Sequence, residues 1–205
     1  MNDSQSREMV DEDDDTIQDA PSIKQKRRGT PSGNDSDKKM EQYTATTFVE
    51  KARFYLSQSP PDLVQSSEKI WFAAVYAVKK LFLTSGGIDL KSHKALNYFC
   101  RFALANSGLP TDRGFFLFDT WTKAEKMHQD VYGSWNFRSH EYAQIITDVE
   151  TFVKDFDNFD QRKLWDEFER KFIVGTEQNV TVKKVSPQTI NLGGFCFKSE
   201  YSVFV

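Results

Sequence analysis

Residues 62–87 read DLVQSSEKIWFAAVYAVKKLFLTSGG, and their spacing decides the fold. Leu63, Ile70, Trp71, Ala74, Val75, Val78, Leu81 and Phe82 recur at intervals of three and four, the period of a helix with one apolar side. Asp62 stands where a helix N-cap belongs, because its carboxylate can accept from backbone amides that have no partner inside the helix. Gly86-Gly87 ends the run, since glycine tolerates the left-handed conformation past a helix C-terminus. The same reading extends outward. Upstream, Phe48, Val49, Ala52, Tyr55 and Leu56 make a shorter amphipathic run, capped by Thr46 or Thr47 and stopped by Ser59-Pro60-Pro61. Downstream, Ser92 caps a helix carrying Leu96, Phe99, Cys100, Ala103 and Leu104, closed by Asn106-Ser107-Gly108-Leu109-Pro110.

Two further stretches share the period. One begins between Thr111 and Phe118 and presents Leu117, Trp121, Ala124, Met127, His128, Val131 and Tyr132, ending near Gly133 and Asn136. The other starts near Ser139 with Tyr142, Ile145, Ile146, Val149, Phe152, Val153 and Phe156. Short connections favour antiparallel neighbours, so the expected architecture is an all-α, up-and-down bundle of four or five helices over residues 45–158. Leu164, Trp165, Phe168 and Phe172 suggest one more helix. Val180-Thr181-Val182, Thr189-Ile190-Asn191-Leu192 and Phe195-Cys196-Phe197 read as short strands, broken by Pro187 and Gly193-Gly194. Residues 159–205 thus form a C-terminal helix plus a small β-leaning extension. Tyr201-Ser202-Val203-Phe204-Val205 carries enough apolar surface to favour docking.

Composition bounds the rest. The 205 residues carry a formal net charge of −3, and two cysteines, Cys100 and Cys196, imply no disulfide scaffold. Residues 1–44 hold 11 acidic and 7 basic side chains with one aromatic, Tyr43. Such a segment lacks the apolar surface to offset ordering entropy and is expected to be a disordered charged tail. Its blocks Lys24-Gln25-Lys26-Arg27-Arg28 and Lys38-Lys39 fit a nuclear-import signal at residues 24–39 or a merely solvated tail. No apolar run reaches the roughly 18 residues of a membrane span. An intracellular protein, nuclear or cytoplasmic, without a membrane partner is the expectation. Glycine-rich phosphate loops, a His-Glu-x-x-His helix and zinc-spaced cysteines are all missing, so no cofactor or metal is expected.

Several motifs resemble those of one family. Gln65-Ser66-Ser67-Glu68-Lys69, leading into Trp71 and Ala73-Ala74, is similar to the second helix of HEPN-type bundles, especially their PaREP-like branch. Ser92-His93-Lys94-Ala95-Leu96 resembles the start of the family's third helix. Met127-His128-Gln129-Asp130-Val131-Tyr132-Gly133-Ser134-Trp135 resembles its leucine-histidine-x-asparagine-phenylalanine-tyrosine-glutamate segment, and Asp148–Val153 its closing helix. The resemblance implies a helical bundle, frequently dimeric, associated with nucleotides, RNA or stress-response machinery. In many members it also implies metal-independent RNA cleavage by a histidine preceded, four to six residues earlier, by an arginine. Here that arginine is missing, and the nearest substitute at that spacing is Lys123, with four residues between it and His128. Lysine lacks the planar, bidentate grip of arginine on phosphate.

Three functional readings follow. The leading one is a non-catalytic or weakly catalytic interaction module in RNA-related machinery, either a homodimer or docked on a protein partner. Its partner surface is expected at Phe115, Phe116 and Phe118, because Phe115-Phe116-Leu117-Phe118 cannot all point inward from one helix. The alternative is a metal-independent endoribonuclease using His128 as base, Lys123 as phosphate cation and Tyr132 in support. The third is a nucleotide-binding sensor built on Gln65, Glu68, Lys69 and His93. Glu68 or His93 is also placed to complete a polar pocket with His128 and Tyr132, which share a helix face. Trp135 and Phe137 beside Arg138 and His140 offer a base-stacking surface.

Overall fold

The structure, a computed structural model, describes residues 43–133, 137–175, 177 and 179–205. The basic blocks of residues 24–39 and Trp135 lie outside the described residues. Six α-helices dominate: α1 (Ala45–Leu56), α2 (Leu63–Gly86), α3 (His93–Asn106), α4 (Thr111–Asp130), α5 (Ser139–Asp157) and α6 (Gln161–Phe168). A single π-helical turn, Glu169–Val174, prolongs α6. No described helix is long and apolar enough to cross a membrane.

The caps follow the side-chain chemistry. Asp62 accepts from the Gln65 amide at 2.9 Å and Ser92 from the Ala95 amide at 3.1 Å. At α1 the cap lies earlier than Thr46 or Thr47. Thr44 accepts from the Thr47 amide at 3.1 Å while the Thr47 hydroxyl accepts from the Thr44 amide at 2.8 Å. Thr47 therefore serves as the third helical residue of a capping box, a role usually held by Glu or Gln, because its hydroxyl reaches back equally well here.

Helix α2 is the hub and packs against α1, α3, α4, α5 and α6. Its adjacent serines set the spacing. Ser66 Oγ donates to the Ala52 carbonyl of α1 at 3.1 Å, and Ser67 Oγ meets the Tyr142 hydroxyl of α5 at 3.0 Å. Two small residues let both neighbours approach closely, and each hydroxyl finds the partner that burial requires. An aromatic chain runs through the core, with ring centroids 4.8 Å apart for Trp71–Trp121, 6.2 Å for Trp121–Phe152 and 4.1 Å for Phe152–Phe156. Burying each such ring stabilises by roughly 1.5–3 kcal/mol. The Trp121 indole N–H is a buried donor without a hydrogen-bond partner among the described residues.

The sheet is more than a C-terminal extension. Strand β1 (Ile88–Leu90), directly after α2, pairs in parallel with β3 (Phe195–Phe204), and β3 pairs antiparallel with β2 (Thr181–Leu192). The order β1-β3-β2 thus sews residues 181–204 into the bundle. Pro187 does not break β2, contrary to the sequence reading. The ladder skips from Lys184 to Gln188 in a bulge, and β2 is an edge strand, where a residue without an N–H is tolerated. Gly193 and Gly194, with φ of 61° and 86°, form the two-residue hairpin turn. Gly87, with φ of 65°, ends α2, and its carbonyl accepts from the Glu200 and Tyr201 amides at 2.8 and 3.1 Å. A β-carbon there would lie 2.9 Å from the Lys198 carbonyl oxygen, so the turn requires glycine for space as well as conformation.

Candidate functional site

The second turn of α2 and the last turn of α4 meet to form a polar clasp. His128 sits in the last turn of α4, and Tyr132, four residues on, lies in the turn that follows the helix. Both reach Glu68. His128 Nδ1 lies 2.8 Å from Glu68 Oε1, and the Tyr132 hydroxyl donates to the same oxygen at 2.9 Å. Burial alone would raise the Glu68 carboxyl. The hydrogen bond and charge of His128, with the Tyr132 hydroxyl, outweigh it and hold the group below the ordinary carboxylate range. The same bond pushes the Tyr132 hydroxyl up, because its proton is held by a carboxylate. Trp71 stacks with both the His128 and the His93 rings, at centroid separations of 5.9 and 5.7 Å.

Of the two candidates to join His128 and Tyr132, Glu68 is hydrogen-bonded to both, and the His93 ring stacks on Trp71. Lys123 is placed elsewhere. Its ammonium lies 2.6 Å from Asp119 Oδ2, one turn back on α4, and that hydrogen bond raises its pKa, with further support from the Asp148 charge of α5. His128 is turned toward α2, so cation and imidazole serve different faces of α4. Residues five apart differ by about 140° around a helix, which is the geometric reason.

The quartet Gln65, Glu68, Lys69 and His93 also divides. Burial lowers the Lys69 ammonium pKa, opposed by the Glu68 charge and reinforced by Lys51 of α1, and its Nζ lies 5.3 Å from the Phe72 ring centroid. Lys69 thus belongs to the α1 side of α2, while Glu68 is spent on α4. Gln65 is half-buried in the first turn. Among the described residues no three His, Cys, Asp or Glu side chains gather as metal ligands. Cys100 is fully buried, which pushes its thiol well above the usual value and suits packing rather than nucleophilic chemistry.

The phenylalanine run resolves residue by residue. Leu117 points into the core and is 0% exposed. Phe116 and Phe118 are half-buried, each beneath an arginine: Arg113 lies 5.1 Å from the Phe116 ring centroid and Arg101 4.5 Å from that of Phe118. Phe115 is left 71% exposed. It forms part of the rim of a groove of about 310 Å³ between α3 and α4, lined also by Arg101, Leu104, Leu109, Pro110 and Phe118. Phe137 is half-buried, with the Lys126 ammonium 6.0 Å from its ring centroid, and His140 lies exposed in the first turn of α5.

No protein-family model matches this chain, and no curated protein or solved structure matches it either.

Proposed function

We propose that the chain is a HEPN-like interaction module of RNA-related machinery that self-associates through the α3–α4 elbow and has no strong nuclease activity of its own. The carrying observation is Phe115, 71% exposed at the edge of an apolar groove. Knob and hole on one face are what a two-fold interface needs, because each copy can then offer Phe115 to the other's groove. A large exposed aromatic beside a concave apolar surface also has the character of an interface anchor. The helical architecture and the motif resemblance of residues 45–158 support the family reading.

The division of labour on α4 supports the weak-catalysis half. Metal-independent RNA cleavage needs a base at the 2′-hydroxyl and a cation at the phosphorane charge. His128 is available for the first task, while Lys123 is held by Asp119 on another face. One observation favours the endoribonuclease as a second reading: a carboxylate on Nδ1 of His128 fixes the orientation of the ring. Light scattering over a wide concentration range tests the first reading. A dimer that Phe115→Asp converts to monomer is expected, and a monomer at every concentration overturns it. RNA incubated with the protein in chelator tests the second. Cleavage that vanishes in His128→Ala would establish it, and intact RNA at high protein concentration would remove it.

A further inference from the structure

A second cavity, distant from the Phe115 groove, lies where α1 starts, α2 and α5 run side by side and the β2–β3 hairpin folds over them. It encloses about 300 Å³, at the lower end of the range for small-molecule sites. Its walls are Leu192, Phe195 and Phe197 of the hairpin and Tyr43 and Tyr76 from the helical side. The hairpin is fixed there by its own turn: the Tyr43 amide donates to the Gly193 carbonyl at 2.9 Å, and a β-carbon on Gly193 would lie 1.7 Å from the Tyr43 carbonyl oxygen.

Its polar edge is one ion pair. Lys80 Nζ donates to Asp157 Oδ1 at 2.8 Å, and both side chains are nearly half exposed. This bond uses one of the three ammonium protons and one of the two carboxylate oxygens, so each partner keeps capacity for a ligand while staying bound to the other. Opposite charges side by side at the rim of an aromatic cleft complement a head group that carries both signs.

We propose that this cavity binds a free amino acid with an aromatic or large apolar side chain. The α-carboxylate meets Lys80, the α-ammonium meets Asp157, and the side chain lies among Phe195, Phe197 and Leu192. A carboxylate without an ammonium would sit against Asp157 unpaired, and an amine without a carboxylate would sit against Lys80. The site therefore selects the zwitterion over either half.

Calorimetric titration of the full chain with L-phenylalanine, 3-phenylpropionate and phenethylamine tests this, because the three share a ring and differ in the head. L-phenylalanine is expected to bind about tenfold or more tightly than either analogue, the size of one charge-assisted hydrogen bond. At exposed positions, Lys80→Met is expected to erase the preference over phenethylamine, and Asp157→Asn the preference over 3-phenylpropionate. Leu192→Trp, which fills the cavity, is expected to abolish binding of all three with an unchanged far-ultraviolet circular dichroism spectrum. Equal binding of the three compounds, binding undiminished in both charge variants, or no binding of L-phenylalanine at millimolar concentration would each overturn the proposal.

Discussion

The helical core and the three-stranded sheet hold themselves together by opposite means. In the core, Trp71, Trp121, Phe152 and Phe156 touch in series and are almost entirely buried. In the sheet, β1 is wholly buried, but β2 buries only Leu192 of its twelve residues. The sheet stays in place through backbone fit at two glycine turns, Gly87 and Gly193, and through the pairing of β1 with β3. Apolar area spread over many side chains loses cohesion gradually, whereas a backbone fit fails at one atom.

That contrast can be broken most severely in the core. Trp121→Ala should cost about 3–5 kcal/mol in denaturant unfolding, as large aromatic deletions do when the site cannot collapse. Trp121→Phe should cost far less, since it removes the unpartnered indole N–H along with part of the ring. Equal losses for the two variants would mean that the N–H has a partner after all. The sheet should respond differently to Gly193→Ala. The new β-carbon would run into the Tyr43 carbonyl, at an expected cost of about 1–3 kcal/mol. Hydrogen exchange should then show lost protection in β2 while α2 and α4 keep theirs. Uniform loss across the molecule would show that sheet and bundle unfold as one unit.

The polar clasp between α2 and α4 comes next in size. Glu68→Ala removes two hydrogen bonds and should cost about 1–2 kcal/mol, moderated because Tyr132 can turn to water. The folded carboxyl lies below its unfolded value, so its contribution is full above the ordinary carboxylate range and fades as pH falls through the lower folded value. Glu68→Gln should accordingly flatten the acid limb of a stability-against-pH curve, and an unchanged limb would remove the clasp from the account. The smallest effect is expected at Glu150, which Lys154 and Arg53 hold down to about 2. Those partners are solvent-exposed, so Glu150→Gln should cost about 0.5 kcal/mol or less, and salt should shrink it further.

Much of the core region was legible because its signals are local. Asp62, Ser92 and Gly87 mark helix ends by chemistry that acts within four residues, and the three-and-four spacing of Trp71, Trp121 and Phe152 places them inward. What escaped is non-local. Ile88-Asp89-Leu90 is too short to show a period and becomes a strand only because Tyr201-Ser202-Val203 lies beside it. Pro187 looks like a strand breaker until β2 is seen to be an edge. At the candidate site, the shared face of His128 and Tyr132 could be read from their spacing, and so could the angular offset of Lys123. That Glu68 reaches both of them depends on how α2 and α4 rotate against one another. Nor does any sequence motif announce the Lys80–Asp157 cavity, whose lining comes from α1, α2, α5, β2 and β3.

The parallel seam between residues 88–90 and 201–203 also has a consequence for biosynthesis. More than a hundred residues must leave the ribosome after Leu90 before its pairing strand exists. During that interval Ile88 and Leu90, sealed in the finished protein, stand uncovered at the end of a helix hub that local contacts can already assemble. A nascent chain stalled before β3 should therefore present a helical body with one sticky, unpaired edge. Chaperone capture and aggregation would concentrate at that edge.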